Sequence, residues 1–309
     1  MILAYDGRPA NGGQRAGIGN VALHLLHALP EALGDDRLHL YLDAPPGPGV
    51  VPEHGRVDVR VLPACRGWTQ RALAPALRRD PPDVFLAPGL QVPWGAPCAV
   101  MPTALDLAYR RYPKTFTMRQ RWRARAELWR AARVAAHWIA ISEATKSDLV
   151  WLGGIAPTRV TAIPLGCPPA FAAPARESAI TAARTTLGLD GPYVLFIGRL
   201  QPRKNLARLF EAFSRVATDM PHRLVVAGGP GWRVDEIYRA HAAAPARARI
   251  QLAGYVDEAL LPGLLTGADA LTLPSEGEGF GLPLLQAMGC GTPALIADSG
   301  ALPEVAGGA

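Results

Sequence analysis

Short apolar runs rich in β-branched residues recur along the whole chain, and stretches of helical character separate them. Strands that alternate with helices form right-handed βαβ units, so the chain is predicted to fold into mostly parallel sheets covered by helices. The predicted strands are residues 2–6, 39–43, 57–62, 84–88, 99–106, 138–142 and 160–166, followed by residues 193–198, 223–228, 250–254, 270–275 and 293–297. The predicted fold class is therefore α/β.

The length of 309 residues is about twice that of an ordinary single domain, so we expect two domains. Residues 167–174 are rich in proline, which favours a connection between domains over the interior of an element. We accordingly predict an N-terminal domain over residues 1–170, a linker over 171–189 and a C-terminal domain over 190–309. The same βα alternation occupies both predicted domains.

The composition narrows the class of protein further. A hydrophobic content of 49% and a charged content of 19% exclude a disordered chain. No apolar stretch is long enough to span a bilayer, and the four cysteines contain no C-x-x-C pair, so neither a disulfide framework nor a zinc site is indicated. The first residues resemble a strand and not a signal peptide, and we expect a cytoplasmic protein.

Positive charge is concentrated in residues 110–133, which contain nine basic side chains and a single acid, Glu127, whereas the whole chain carries a net charge of +6. Within and just after this segment, apolar residues at near-helical spacing alternate with arginines, which predicts a basic amphipathic helix. They are Met118, Trp122, Ala126, Trp129 and Ala136, with Arg119, Arg123 and Arg130 on neighbouring faces. Two interpretations stay open: a helix that docks on an anionic membrane surface at residues 110–133, or a core-packed helix with a solvated arginine face. A nucleic-acid partner is not expected, because no binding motif accompanies the charge.

Three loops lie where parallel α/β domains bind ligands, at the carboxyl ends of predicted strands. Residues 11–20 are rich in glycine and precede a helix, residues 198–205 contain Arg199 and Lys204, and residues 274–288 place Glu278 just before a helix. Taken singly, the first loop is equally well explained as a flexible loop with a cap, whereas the second and third are better explained as a solvated charged loop and a helix cap.

In combination, the motifs of these loops and of several others resemble the family 4 (group 1) glycosyltransferases of GT-B fold in order and spacing. In the second half they are Gly198-Arg199-Leu200 with Lys204-Asn205, Ala227-Gly228-Gly229-Pro230-Gly231-Trp232, Gly267-Ala268-Asp269-Ala270, residues 278–293, and Gly300-Ala301-Leu302-Pro303-Glu304-Val305. Less specific similarities in the first half are Asp6-Gly7-Arg8-Pro9, Gly17-Ile18-Gly19, Leu105-Asp106-Leu107 and Ile141-Ser142-Glu143-Ala144-Thr145. The resemblance covers nearly the whole chain.

The resemblance implies two Rossmann-like domains whose mostly parallel sheets face a central cleft. It also implies a retaining hexosyltransferase of polysaccharide biosynthesis that needs no cofactor and no obligatory metal. A GDP- or UDP-linked donor sugar would be held mainly by the C-terminal domain, and a glycan or lipid-linked acceptor by the N-terminal domain. The start of the chain and its glycine loop look most like members that transfer mannose. Such an enzyme would be cytoplasmic and, if the basic helix binds lipid, peripheral at the inner face of the membrane.

The resemblance also assigns individual residues. Arg199 and Lys204 would neutralise the leaving diphosphate, and Glu278 would contact the transferred sugar; these three are the predicted catalytic residues. The further donor-binding residues are Gly17, Gly19, Asp106, Gly279, Phe280, Gly281, Leu282 and Gln286, the last of which would face the ribose. The alternative for Gln286 is a surface-facing helix residue.

The chain departs from the family pattern at three places. Gln286 replaces the second acid of the E-x7-E motif, and Leu105-Asp106 replaces a frequent His-Asp pair. The sequence stops at Gly307-Gly308-Ala309, where relatives usually continue, so we expect a truncated C-terminal domain. These departures support the alternative of a non-catalytic relative that binds a sugar nucleotide or a glycan.

Overall fold

The protein is described by a computed structural model that covers residues 1–13 and 17–308. Its internal contacts divide the chain into two compact units. The first unit comprises Met1–Arg111 and Thr117–Pro164, and the second comprises Tyr112–Phe116 together with the chain from Leu165 onward. A short segment of the N-terminal half therefore belongs, by its contacts, to the second unit.

The first unit contains a parallel sheet with the strand order β3-β2-β1-β4-β5-β6-β7. Its strands are β1 (Ile2–Asp6), β2 (Arg37–Leu42), β3 (Val57–Val61), β4 (Val84–Ala87), β5 (Ala99–Ala104), β6 (Trp138–Ala140) and β7 (Val160–Ala162). Its helices are α1 (Ile18–Ala32), α2 (Ala74–Arg79), α3 (Ala108–Arg111), α4 (Met118–Val134) and α5 (Glu143–Trp151). Apolar residues of β1, β2 and α1 form one buried core, which includes Tyr5, Leu26 and Leu40.

The second unit contains a parallel sheet with the strand order β10-β9-β8-β11-β12. Its strands are β8 (Tyr193–Ile197), β9 (Arg223–Ala227), β10 (Ile250–Gly254), β11 (Ala270–Leu273) and β12 (Ala294–Ile296). Its helices are α6 (Glu177–Leu187), α7 (Leu206–Val216), α8 (Val234–Ala243), α9 (Leu261–Thr266), α10 (Leu282–Gly289) and α11 (Leu302–Ala306). The two parallel sheets with their helices confirm the predicted α/β class.

Every predicted strand is present, but several end earlier than predicted. The largest overrun is at β7, which was expected over residues 160–166 and ends at Ala162. The apolar residues Ile163 and Leu165 extend the hydrophobic pattern past the strand, while Pro164 between them lacks the N–H group that a ladder needs. The strand was predicted too long because apolar residues of the following loop continue its hydrophobic pattern, although they do not join the sheet.

Residues 171–189, predicted as a linker, are packed into the second unit. Phe171 is fully buried in its core, and α6 contributes the buried Ala183 to the same core. Within residues 167–174, Pro169–Phe171 form a tight 3-10 turn with Pro168 as its N-cap, and Phe171 at the end of this turn is buried. The chain thus enters the second unit at Leu165 and not at residue 190.

The basic segment 110–133 is not one continuous helix. α3 ends at Arg111, residues 112–116 belong to the second unit, and α4 begins at Met118 with Thr117 as its N-cap. The residues that α4 buries are Leu128 and Ala131, so the expected apolar face lies largely outside the core. Within residues 1–13 and 17–308, no helix has the length and apolar character that a bilayer span requires.

Candidate functional site

Strands β8 and β11 are neighbours in the second sheet, but the chain leaves them toward opposite sides. It passes from β8 through α7 to β9, and from β11 through α10 to β12. In open α/β sheets such a reversal opens a crevice at the carboxyl ends of the two strands, and ligands bind there. The loops over residues 198–205 and 274–281 lie at this position.

Three charged side chains of these two loops are brought together and buried. Lys204 Nζ lies 2.5 Å from Glu278 Oε1, and Arg203 Nη1 lies 3.3 Å from Glu278 Oε2. Their side chains expose only 11%, 9% and 10% of their surfaces for Lys204, Arg203 and Glu278, respectively. Two cations therefore share one carboxylate where water is largely excluded, and these three groups together carry an excess positive charge.

Backbone contacts fix the two loops against each other. The Arg203 carbonyl accepts a hydrogen bond from the Glu276 N–H at 2.9 Å, and Asn205 Nδ2 donates to the Pro274 carbonyl at 3.2 Å. Arg203 Nη1 also donates to the Gly277 carbonyl. Lys204 and Glu278 are thus held in place by the loops that carry them and not by their ion pair alone.

The electrostatic environment keeps Glu278 ionised. Burial by itself raises the pKa of Glu278, but the charges of Lys204 and Arg203 and the hydrogen bond from Lys204 outweigh it, so the pKa is lowered below its ordinary value. At neutral pH, Glu278 is a carboxylate that can accept hydrogen bonds from hydroxyl groups.

The motif at residues 300–305 packs against the backbone of Glu278. Gly300 has a φ of +62°, and a Cβ there would lie 2.6 Å from the Glu278 carbonyl oxygen and 2.7 Å from its backbone nitrogen. The Ala301 N–H donates to that carbonyl at 3.1 Å. Glycine is required at residue 300 because the two backbones approach this closely.

The other predicted donor residues of the second unit lie on the same loops and on α10. Gly279 and Phe280 lead into Gly281, the N-cap of α10, whose φ of +100° turns the chain into the helix at Leu282. The first N–H groups of a helix have no intrahelical partner and favour an anion. Arg199, in contrast, is exposed and stands apart from the ion pairs of Lys204.

Gln286 exposes only 3% of its surface within α10, so the alternative of a surface-facing residue is wrong. It lies about one turn after Leu282, the first residue of the helix that follows Glu278, because 3.6 residues complete a turn. The amide is therefore a polar group inside the unit, where it needs hydrogen-bonding partners.

The remaining predicted residues, Gly17, Gly19 and Asp106, lie in the first unit. Gly17 has a φ of +54° and is the N-cap of α1, while Gly19 is buried in the first turn of that helix. Asp106 follows β5, and its Oδ1 accepts the Ala108 N–H at 3.1 Å at the start of α3. Residues 14–16 of the predicted glycine loop lie outside the described residues.

Two residues of the ion-paired site were not predicted. Arg203 and Asn205 flank Lys204 in the loop after β8, and both bind the loop after β11. The sequence did contain a signal for both, because Asn205 is part of the glycosyltransferase-like motif Lys204-Asn205 and Arg203 directly precedes that motif. Across residues 1–13 and 17–308, no group of three or more His, Cys, Asp or Glu side chains is arranged to hold a metal ion.

Comparison with known proteins finds a family match in the second half of the chain. Residues 180–308, which include the whole ion-paired site, match the sequence family "Glycosyl transferases group 1". This segment of the chain is similar to the group 1 glycosyltransferases. The resemblance recognised in the sequence motifs is thereby confirmed.

Two curated glycosyltransferases are similar to this protein over about half of the chain. The O-antigen chain mannosyltransferase B of Escherichia coli is 32% identical over 175 residues, which are 55% of this chain and 45% of that protein. The D-inositol 3-phosphate glycosyltransferase of Kineococcus radiotolerans is 31% identical over 173 residues, which are 53% of this chain and 40% of that protein. The matches thus cover less than half the length of either relative.

Similarity to solved structures extends over both units. The structure of Anabaena Alr3699/HepE in complex with UDP-glucose aligns with 98% of this chain and 82% of its own, with a TM-score of 0.74 and 19% sequence identity. At this identity the likeness concerns the fold alone, and it agrees with the predicted GT-B class of two Rossmann-like domains.

Proposed function

We propose that the protein is a retaining glycosyltransferase that moves a hexose from a nucleotide-diphosphate sugar to a glycan or lipid-linked acceptor in polysaccharide biosynthesis. The observation that carries this proposal is the buried cluster of Lys204, Arg203 and Glu278 at the carboxyl ends of β8 and β11. The match of residues 180–308 to the group 1 glycosyltransferases supports it.

The charges of the cluster suit the chemistry of sugar transfer. When the sugar leaves its nucleotide, negative charge develops on the diphosphate, and fixed cations stabilise a transition state in which this happens. Lys204 and Arg203 supply those cations without an obligatory metal, and the N-terminus of α10 supplies further positive potential. Glu278, held ionised, accepts hydrogen bonds from the hydroxyl groups of the transferred sugar.

For the donor we propose a hexose linked to GDP or UDP, with GDP-mannose as the first to test. The E. coli relative is named a mannosyltransferase, and the Anabaena structure holds UDP-glucose. The purified protein should bind one of these donors and hydrolyse it slowly or transfer its sugar. Binding without any turnover would favour the alternative, a non-catalytic sugar-nucleotide or glycan-binding relative. Binding of neither GDP nor UDP would refute the enzyme and the sugar-nucleotide-binding relative, and would leave only the glycan-binding relative.

Gln286 offers a direct test of the ribose contact. We expect Gln286→Glu to tighten binding of a ribonucleoside diphosphate by about 1 kcal/mol, or fivefold, because charge-assisted hydrogen bonds are stronger than neutral ones. Gln286→Ala should weaken binding by a similar amount. Calorimetric titrations with GDP and with 2′-deoxy-GDP give the comparison. If both variants distinguish the two ligands as the parent does, Gln286 does not contact the ribose.

We further propose that α4 places the protein at an anionic membrane surface, with a cytoplasmic location. Met118, Trp122 and Trp129 expose 60%, 65% and 49% of their surfaces, which excludes the core-packed alternative for these side chains. The Trp129 ring lies 5.8 Å from that of the exposed Trp94, and the Arg133 guanidinium stacks on it at 3.6 Å. Exposed aromatic residues beside arginines match the chemistry of an anionic lipid interface.

Vesicle co-sedimentation tests this surface. We expect the protein to pellet with vesicles that contain an anionic phospholipid and to be released by salt, because the attraction is screened. Replacing both Trp122 and Trp129 by Ala should lower binding by more than about tenfold, since each indole contributes apolar burial. Trp151→Ala is the matched control, because Trp151 is an 83% exposed tryptophan on a different helix, α5. Equal pelleting with neutral vesicles, or none, would contradict the proposal.

A further inference from the structure

The segment Tyr112–Phe116, which we call the strap, is held on the second unit by three contacts at its C-terminal end. Trp232 Nε1 donates to the Thr115 carbonyl at 2.6 Å, and Arg233 Nη1 donates to the Lys114 carbonyl at 2.6 Å. The rings of Phe116 and Trp232 lie 5.0 Å apart. Trp232 and Arg233 follow β9, so the strap is fixed at the same edge of the sheet as the ion-paired site.

At its other end, the strap places Tyr112 on the loop that carries Glu278. A Cβ at Gly277 would lie 2.3 Å from the Tyr112 hydroxyl oxygen and 2.5 Å and 2.6 Å from two atoms of its ring. All three of the nearest atoms belong to Tyr112, and the backbone of Gly277 is not in the left-handed region. The nearest obstacle to a side chain at residue 277 is therefore Tyr112.

Ser299 completes this arrangement. Its Oγ donates to the Glu276 carbonyl and lies 3.5 Å from the Tyr112 hydroxyl, at the outer limit of a hydrogen bond. The backbone of residues 276–278 is thus contacted by Arg203, which binds the Gly277 carbonyl, and by Tyr112, which covers the Gly277 α-carbon. Two side chains from other segments therefore hold the loop that carries Glu278.

We propose that Tyr112 is a positioning residue for Glu278: its ring presses on Gly277 and fixes the direction in which the Glu278 carboxylate points toward the transferred sugar. This role rests on the proposed function of Glu278. A displacement of about 1 Å in a reacting group is enough to cost a large factor in rate, so a ring that holds the loop can act on catalysis without touching substrate.

The contact can be tested by a double-mutant cycle. Gly277→Ala inserts a methyl group into the Tyr112 ring, whereas in a Tyr112→Ala background that methyl group has room. We expect Gly277→Ala to lower kcat for donor hydrolysis or transfer by more than about tenfold in the parent, but by less than about threefold in the Tyr112→Ala background. Tyr112→Phe keeps the ring and should stay within about threefold of the parent. Tyr238→Ala, at an exposed tyrosine of α8, is the matched control and should change nothing.

Three readouts separate the possible results. Coupling of the two substitutions in thermal unfolding tests the contact without any activity, and equal effects in both backgrounds would refute it. A second possible result is that the contact exists, while the loss of kcat in each variant matches its loss of stability and KM rises by the same factor as kcat falls. In that case the role of Tyr112 is structural and the proposal fails. A parent protein that neither binds nor turns over GDP-mannose or UDP-glucose, while the unfolding coupling persists, would refute the proposed function and with it this role, yet leave the contact standing.

Discussion

Lys204→Ala is expected to weaken nucleoside diphosphate binding by about 1.5–3 kcal/mol, or roughly 10- to 150-fold, because it removes a hydrogen bond to a charged group. The same substitution should lower the free energy of unfolding by about 3–5 kcal/mol, because it leaves the buried Glu278 carboxylate with Arg203 as its remaining cation. Calorimetry with GDP and UDP measures the first effect, and denaturant unfolding measures the second.

Lys146→Ala is the matched control for this prediction. Lys146 Nζ lies 3.6 Å from Glu143 Oε2, but this pair lies on the surface of α5 and the Glu143 side chain is 68% exposed. Exposed ion pairs at this spacing contribute about 0.3–0.5 kcal/mol, so the control should leave both stability and nucleotide affinity nearly unchanged. A Lys204→Ala variant that behaves like the control would remove Lys204 from the site.

The exposed Arg199 gives a second comparison within the same loop. The resemblance assigns it to the diphosphate together with Lys204, but its side chain lies outside the ion-paired cluster. A solvated side chain gains less from a hydrogen bond to an anion than one held in a dry site. If both residues bind the diphosphate, Arg199→Ala should therefore weaken binding less than Lys204→Ala and should leave the free energy of unfolding nearly unchanged.

The strands could be predicted from the sequence because each is a short β-branched apolar run between polar turns, which is the pattern of a buried parallel strand. The order of the strands in each sheet, in contrast, does not follow from the local sequence pattern. The meeting of Lys204 and Glu278 follows once β8 and β11 are neighbours, and that adjacency was implied by the family resemblance and not by local pattern. The prediction of a linker over residues 171–189 failed because a cluster of prolines indicates a turn but not its burial. The turn can be exposed or, as at Phe171, packed into a core.

The position of Tyr112 could not be predicted from spacing. Tyr112 and Ser299 are 187 residues apart in the sequence, and no periodicity connects them. Arg203, in contrast, is adjacent to Lys204 in the sequence. It was missed because an arginine in a charged loop is indistinguishable, in the sequence, from the many solvated arginines of this chain. Its burial depends on the tight turn Pro202–Lys204, which directs both neighbouring cations toward the loop after β11. Burial of a charge is a property of tertiary structure, and composition does not encode it.

Glu278→Gln is expected to act on nucleotide affinity in the direction opposite to Lys204→Ala. Glutamine keeps the shape but removes the negative charge, so Lys204 and Arg203 become fully available to a diphosphate, and GDP or UDP should bind more tightly. Sugar transfer should nevertheless fall by about 30- to 150-fold, because a charged hydrogen bond to the sugar, with a contribution of about 2–3 kcal/mol, is lost. Parallel calorimetry and donor turnover in the two variants measure these opposite signs.

Stability supplies the check on Glu278→Gln that needs no turnover. Without nucleotide, two buried cations lose their carboxylate, so the free energy of unfolding should fall by about 3–5 kcal/mol, and added GDP or UDP should raise Tm more than in the parent. The pH dependence has a defined sign. Because the pKa of Glu278 is lowered in the folded state, its contribution is present above the ordinary carboxyl value and is lost as pH falls through the lower folded value. The parent should lose stability in that acidic range, whereas Glu278→Gln should lack this component. Equal acid sensitivity in both proteins, with unchanged nucleotide affinity, would remove Glu278 from the ion-paired cluster.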